Sequence, residues 1–127
     1  MKKFHLLFVF GLFVIILSAC GSADDAGKAA ESYITAVVAQ NKDQATALSC
    51  SDWVESAAME VDSFQAVTPS LEGLSCKQTG TDGETALVTC QGKIKATYGT
   101  ELAEFDLSAR TFQMAKEGGD WRVCGYR

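Results

Sequence analysis

"ETALVTCQGKIKATY", Glu84 to Tyr98, is the stretch on which the fold turns. Ala86, Val88, Cys90, Gly92, Ile94 and Ala96 occupy every second position. Thr85, Thr89, Gln91, Lys93, Lys95 and Thr97 fall between them. Successive side chains of a strand point to opposite faces, so this alternation describes a strand with one face on a core and one face in water.

Glycine-bearing turns surround that strand. TGTDG (79–83) precedes it, YGTE (98–101) follows it, and EGGD (117–120) lies further on. Strands are therefore predicted near 71–79, 84–98, 102–116 and 120–126, a curved four-stranded antiparallel meander. Within 102–116, Phe105, Leu107 and Ala109 share one parity, whereas Phe112 and Met114 take the other. A slip of one residue between Ala109 and Phe112 predicts a β-bulge that bends the sheet.

Upstream of Pro69 the period changes. In KAAESYITAVVAQ (28–40), Ala30, Tyr33, Ile34, Val37 and Val38 form one helical stripe. Asn41 with Gln44 has the spacing of a capping box for a short helix over 42–48. Ser51 is placed to cap a third helix over 52–60, with Trp53, Val54, Ala57 and Ala58 as its apolar residues. Helices followed by a hairpin-linked sheet make an α+β domain, with the sheet wrapped around the amphipathic helix so that both apolar faces are buried.

The first residues have another character. Lys2 and Lys3 precede an uncharged run from Leu6 to Leu17. As a helix that run measures roughly 18 Å, short of the ~30 Å hydrocarbon core of a bilayer. A basic start and a short apolar run are the pattern of a signal peptide, here residues 1–19. Leu17 fits poorly at the −3 position of an ordinary cleavage site before Cys20. Leu17-Ser18-Ala19-Cys20 instead resembles the lipobox of bacterial lipoproteins. That resemblance implies a diacylglycerol on the Cys20 thiol, cleavage just before it, and acylation of the new amino terminus. Ordinary cleavage after Gly21-Ser22-Ala23 and an uncleaved anchor are the alternatives.

Residues 20–27 are small, polar and acidic and read as a flexible tether, leaving 28–127 as a single domain. The partner expected through Cys20 is the membrane. The protein would sit on the cell membrane or outer membrane, facing the extracytoplasmic side.

Removing Lys2 and Lys3 from the chain's 11 Lys+Arg leaves nine against 16 Asp+Glu, a net charge of −7. Nucleic acid, which needs clustered cations, is excluded as a partner. The one histidine, His5, falls in the signal segment. The remainder has no imidazole for a Ser-His-Asp or Cys-His arrangement or for a histidine metal site. No cofactor and no metal are expected.

Besides Cys20 the chain holds Cys50, Cys76, Cys90 and Cys124, an even number that suits two disulfides in an exported domain. Cys76 and Cys90 lie equally far from Gly83 and oppose each other across the first hairpin. Opposed residues of an antiparallel pair have Cα atoms ~4.5–5.5 Å apart, within disulfide range. Cys50 then pairs with Cys124. A Cys90–Cys124 bond would have to cross the third strand, a gap of ~9.6 Å. A sheet of different strand order would permit it.

"SYITAVVAQNKDQATALSCSDW" (32–53) is similar to the opening of the nuclear transport factor 2-like superfamily, within the cystatin-like fold. "EGGDWRVCGYR" (117–127) resembles the terminal strand of small bacterial lipoproteins in that superfamily. The resemblance implies a cone-shaped sheet around one helix, which in some members encloses an isomerase, dehydratase or cyclase site. Fuller members carry an extra hairpin between the helices, for which VDSFQAVTPS (61–70) is too short. A shallower cone follows.

Tyr33, Ile34, Val37, Trp53, Phe105 and Leu107 are the candidate pocket-lining residues. The parity of the strands puts Leu74, Val88, Ile94, Phe105 and Leu107 on the concave face. Such an apolar lining favours binding of a small apolar ligand or an envelope protein over catalysis. Glu104 and Asp106 share a face and can act as a carboxylate pair only if buried. With Ser108 and Arg110 on the same parity, a solvated face is the simpler expectation. Trp53 and Trp121 are expected to fill the helix–sheet junction, and no catalytic residue is assigned.

Overall fold

The computed structural model describes residues 24–127. The signal segment and Cys20 lie outside the described residues. Three helices, α1 (Asp25–Val38), α2 (Lys42–Ala47) and α3 (Val54–Asp62), precede five strands. The strands are β1 (Ser70–Asp82), β2 (Thr85–Tyr98), β3 (Glu101–Asp106), β4 (Thr111–Glu117) and β5 (Asp120–Tyr126). The architecture is α+β, with an antiparallel sheet. Among the described residues no helix is long and apolar enough to cross a membrane.

α1 begins three residues earlier than its hydropathy pattern indicates, so 25–27 belong to the helix and not to the tether. Ala26 extends the buried stripe by one turn. Gly27 is buried because α1 approaches β1 there: a Cβ on Gly27 would stand 2.7 Å from the Cys76 carbonyl oxygen. Small residues that allow such an approach carry almost no hydropathy signal, which is why this turn reads as linker.

Gln40 ends α1 with φ 57°, a left-handed conformation that glycine usually supplies. The Gln40 N–H donates to Val37 O at 3.0 Å and the Asn41 N–H to Ala36 O at 2.9 Å. The Gln40 side-chain Nε2 donates to the carbonyls of Phe64 (2.9 Å) and Val67 (3.0 Å), tying the turn after α3 to the end of α1. Asn41 Oδ1 accepts from the Gln44 N–H at 3.1 Å. Because the Asn41 N–H is already engaged, only the forward half of the expected capping box forms. Ser51 does not cap a helix with its side chain. It opens a 3-10 turn (Ser51–Trp53), and its N–H donates to the Glu117 carboxylate from the end of β4.

The sheet order is β1-β2-β4-β5, with β3 also pairing to β2. The sheet therefore has five strands and not the expected four. The expected third strand is cut in two: Asp106 accepts from the Ser108 N–H (2.9 Å) and hydroxyl (2.7 Å) and caps a 3-10 turn (Leu107–Ala109). This turn, rather than a bulge, produces the change of parity between Ala109 and Phe112. The two halves share the length of β2, β3 pairing with residues 93–98 and β4 with 86–89. Irregularities of register occur elsewhere, at 72–75 and 78–80 in β1 and between Gln113 and Met114. The first lies opposite Gly92 (φ 102°), where a Cβ would meet the Glu72 carbonyl oxygen at 2.5 Å.

Ala86, Val88, Cys90, Ile94 and Ala96 of β2 are buried against Ala30, Tyr33, Ile34 and Val37 of α1, together with Phe112, Met114 and Val123. Cys76 and Cys90 are register partners joined by a disulfide, with Cα atoms 4.1 Å apart. A second disulfide joins Cys50 to Cys124, Cα atoms 4.8 Å apart. Beside it, the Cys50 N–H donates to Val123 O at 2.8 Å and the Val123 N–H to Leu48 O at 2.9 Å. The loop before α3 thus runs along β5 as a short parallel bridge.

Candidate binding site

A cavity of about 210 Å³ lies between the helices and the sheet. One wall is Tyr33, Ile34 and Val37 of α1; another is Glu60, Ser63 and Phe64 at the end of α3. The sheet side is Ile94 and Tyr98 of β2, Phe105 and Asp106 of β3, Leu107, Arg110 and Phe112. The helical period brings 33, 34 and 37 to one face of α1, and the 3-10 turn brings Leu107 and Arg110 to the same opening. Phe64 and Phe105 meet edge to face with centroids 6.1 Å apart. Phe105 and Tyr98, each 40% exposed, form the rim.

Of the residues expected to line a pocket, Tyr33, Ile34, Val37, Phe105 and Leu107 are brought together here. Trp53 is not among them. It stands behind Tyr33, with its ring edge-on to Tyr126 at 5.3 Å. Leu74 lies away from the cavity, beside Glu31 and Thr35 on the flank of α1, because the irregularity at 72–75 turns it aside. Val88 is in the solid core. Trp121 is half-buried at the core edge with Lys116 Nζ 5.3 Å from its ring centroid.

A line of hydrogen bonds enters the cavity wall. Trp53 Nε1–H donates to Tyr33 Oη at 3.2 Å, and the Tyr33 hydroxyl donates to Glu60 Oε2 at 3.0 Å. The other carboxylate oxygen, Glu60 Oε1, is closed to solvent and accepts no hydrogen bond from the described residues. Arg110 Nη1 is 4.0 Å from it, beyond hydrogen-bond reach. The Arg110 guanidinium lies 4.3 Å over the Tyr126 ring, a cation–π contact. Burial, and then the Glu60 charge, push Tyr33 far above the usual tyrosine range, so its hydroxyl is a persistent neutral donor. Tyr126 is pushed up as well, by burial and by Glu60.

Glu104 and Asp106 do not act together. Glu104 faces Lys93 (3.4 Å) and Lys95 (3.8 Å) in solvent. Asp106 is held below the usual carboxylate range by the Ser108 hydroxyl and N–H. Arg110, expected on their solvated face, is redirected by the 3-10 turn toward Glu60.

Glu60, Ser63, Phe64 and Tyr98 line the cavity without having been expected there, and Arg110 was expected in solvent. For Glu60 a signal existed: it lies three residues after Ala57 and next to Val61, the two buried positions of α3. Arg110 had none, since its placement depends on a turn hidden inside an apparent strand.

A mostly apolar space whose wall also carries Glu60, Ser63, Asp106 and Arg110 can hold a small molecule by its apolar body and orient it by a few polar groups. An engineered apolar cavity of ~150 Å³ accepts benzene, so this one has room for a single substituted ring. Among the described residues no three His, Cys, Asp or Glu side chains converge as a metal site. No protein-family model, curated protein or solved structure matches this chain.

Proposed function

We propose that this chain is a bacterial lipoprotein, held by lipid on Cys20 to the extracytoplasmic side of the cell membrane or outer membrane, whose domain binds a small apolar ligand. The cavity between α1, α3 and the sheet carries the reading: it is walled by Ile34, Val37, Phe64, Ile94, Phe105 and Leu107 and opens at an aromatic rim. Helices followed by an antiparallel sheet, with one helix packed on its inner face, are consistent with a cystatin-like domain of the nuclear transport factor 2-like kind.

One observation favours a second reading, an isomerase, dehydratase or cyclase. Tyr33 and Glu60 place a proton donor and a carboxylate side by side at the cavity wall. Against turnover, Tyr33 is strongly held in its protonated form, and Arg110 stands 4.0 Å from the Glu60 carboxylate, beyond hydrogen-bond reach.

Two measurements test the proposal. Cys20→Ala should release the protein from membranes or leave its precursor uncut; normal processing and membrane retention would refute the anchor. Single-ring apolar compounds should shift the methyl resonances of Ile34 and Ile94. Conversion of a bound compound, abolished by Glu60→Gln, would favour the enzyme.

A further inference from the structure

α1 begins at Asp25, five residues after Cys20. Five residues extend no further than about 18 Å. An anchor on Cys20 therefore holds the start of α1 close to the lipid headgroups. Asp25 borders a groove that it shares with Leu48, Lys116, Asp120, Trp121 and Arg122. These residues follow α2 or belong to the β4–β5 hairpin, so the groove marks the end of the domain at which α1 starts. Its chemistry is that of a bilayer interface. Trp121 is half-buried with Lys116 Nζ 5.3 Å from its ring centroid, and Leu48 is half-buried against the core. Indoles favour the headgroup level, and a lysine stem lies along apolar surface while its ammonium stays wet. Arg122 is held in place by donating Nε–H to Glu117 O at 3.2 Å and Nη1–H to Ala47 O. Lys116 and Arg122 are balanced by Asp25 and Asp120. Two charges of each sign suit a zwitterionic headgroup and ask for no excess of anionic lipid.

The cavity mouth lies at the other end. Met114 pairs with Ala86, so the β4–β5 turn lies beyond the Ala86 end of β2. Ile94 of the cavity is eight residues from Ala86, ~26 Å along the strand, and Tyr98 of the rim is further still. α1 runs the same way, from Asp25 at the groove to Val37 at the cavity, a rise of ~18 Å. We infer that the groove-bearing end is the membrane-facing surface of the domain, seated on zwitterionic headgroups through Trp121, Leu48 and Lys116, with the cavity opening away from the bilayer. The inference rests on the anchor at Cys20 and adds an orientation: a ligand enters the cavity from the aqueous phase, not from the lipid.

The test uses the chain purified from membranes and placed in nanodiscs of phosphatidylethanolamine and phosphatidylcholine, with a gadolinium chelate on a small fraction of the headgroups. Trp53 and Trp121 are the only two tryptophans, and Ile34 and Ile94 the two isoleucines beyond the signal segment, so the indole and methyl signals are few. Paramagnetic relaxation of the Trp121 indole proton should exceed that of the Ile94 methyls at least tenfold. Adding phosphatidylglycerol should change this ratio less than twofold. In a chain lengthened by twenty Gly-Ser residues after Ser22, the ratio should stay above threefold, because the surface itself favours the headgroups. Leu48→Glu in the lengthened chain should bring it within twofold, and Lys116→Glu, at an exposed side chain, serves if the first variant fails to fold. Equal relaxation at Trp121 and Ile94 in a chain that stays with the discs overturns the orientation and leaves the anchor standing. A ratio that rises only with phosphatidylglycerol overturns the zwitterionic match. Loss of the ratio on lengthening, or its survival in both glutamate variants, overturns the seating by these residues. A chain that does not stay with the discs removes the anchor and the orientation together.

Discussion

Gly27 of α1 sits against the backbone of Cys76 in β1, so close that a Cβ would lie 2.7 Å from the Cys76 carbonyl oxygen and 3.0 Å from the Lys77 Cα. One turn later Glu31 Oε1 accepts the Cys76 N–H at 2.8 Å. Helix and strand are thus joined at one residue by a missing side chain and a present carboxylate. Gly27→Ala should gain ~0.5–1 kcal/mol of helix propensity but lose more as α1 is pushed from rigid backbone. The expected net destabilisation is about 1–3 kcal/mol, read as a lower midpoint in denaturant. A raised midpoint would show that α1 does not dock this closely.

Gln40 should reverse the usual order of alanine and glycine. Gln40→Ala keeps the left-handed backbone and loses two hydrogen bonds to the turn after α3. A cost of about 1–3 kcal/mol is expected. Gln40→Gly loses the same bonds but removes the backbone strain, so it should be the less damaging. Parallel thermal melts decide the order; alanine at or above glycine contradicts the assigned conformation.

The Cys50–Cys124 bond spans 74 residues and straps the helical layer to β5, whereas Cys76–Cys90 spans 14 within one hairpin. In the chain-entropy account the longer span contributes more. Replacing Cys50 and Cys124 together by alanine should cost about 2–5 kcal/mol and exceed the cost of the same change at Cys76 and Cys90. Denaturant midpoints of the two double variants test this, and the opposite ranking would count against the strap.

Asp106 is held below the ordinary carboxylate range by Ser108. A depressed carboxyl contributes stability above its unfolded pKa of about 4 and loses it as the pH falls through the lower folded value. The 3-10 turn after β3 should therefore loosen only in acid. Ser108→Ala should move the Asp106 midpoint upward in a carboxyl NMR titration; an unchanged midpoint would remove Ser108 as the cause.

Tyr33 has the opposite sign. Its folded pKa is raised, so its contribution is complete below about pH 10 and is lost as the pH rises through the folded value. Its phenolate should appear in an ultraviolet titration only with alkaline unfolding. Glu60→Gln removes one of the two main causes and should advance that ionisation. A Tyr33 that titrates with exposed tyrosines would contradict its burial.

The alternation at Ala86–Ala96 and the stripe through Ala30, Tyr33, Ile34 and Val37 were legible because half-buried strands and helices must repeat with periods of two and 3.6. From those periods came the α+β order, the hairpin that opposes Cys76 to Cys90, and five cavity-lining positions. What stayed hidden depended on contacts remote in sequence. Gly27 and Ala26 look like linker until β1 lies against them. Asp106 and Ser108 look like strand until a local hydrogen bond curls them into a turn, divides the strand and swings Arg110 toward Glu60. That pair has no sequence period at all, since it joins residues fifty positions apart, one on α3 and one between the 3-10 turn and β4. A repeating pattern reports which face of an element is buried. Only packing decides which polar groups meet across the cavity that the buried faces leave between them.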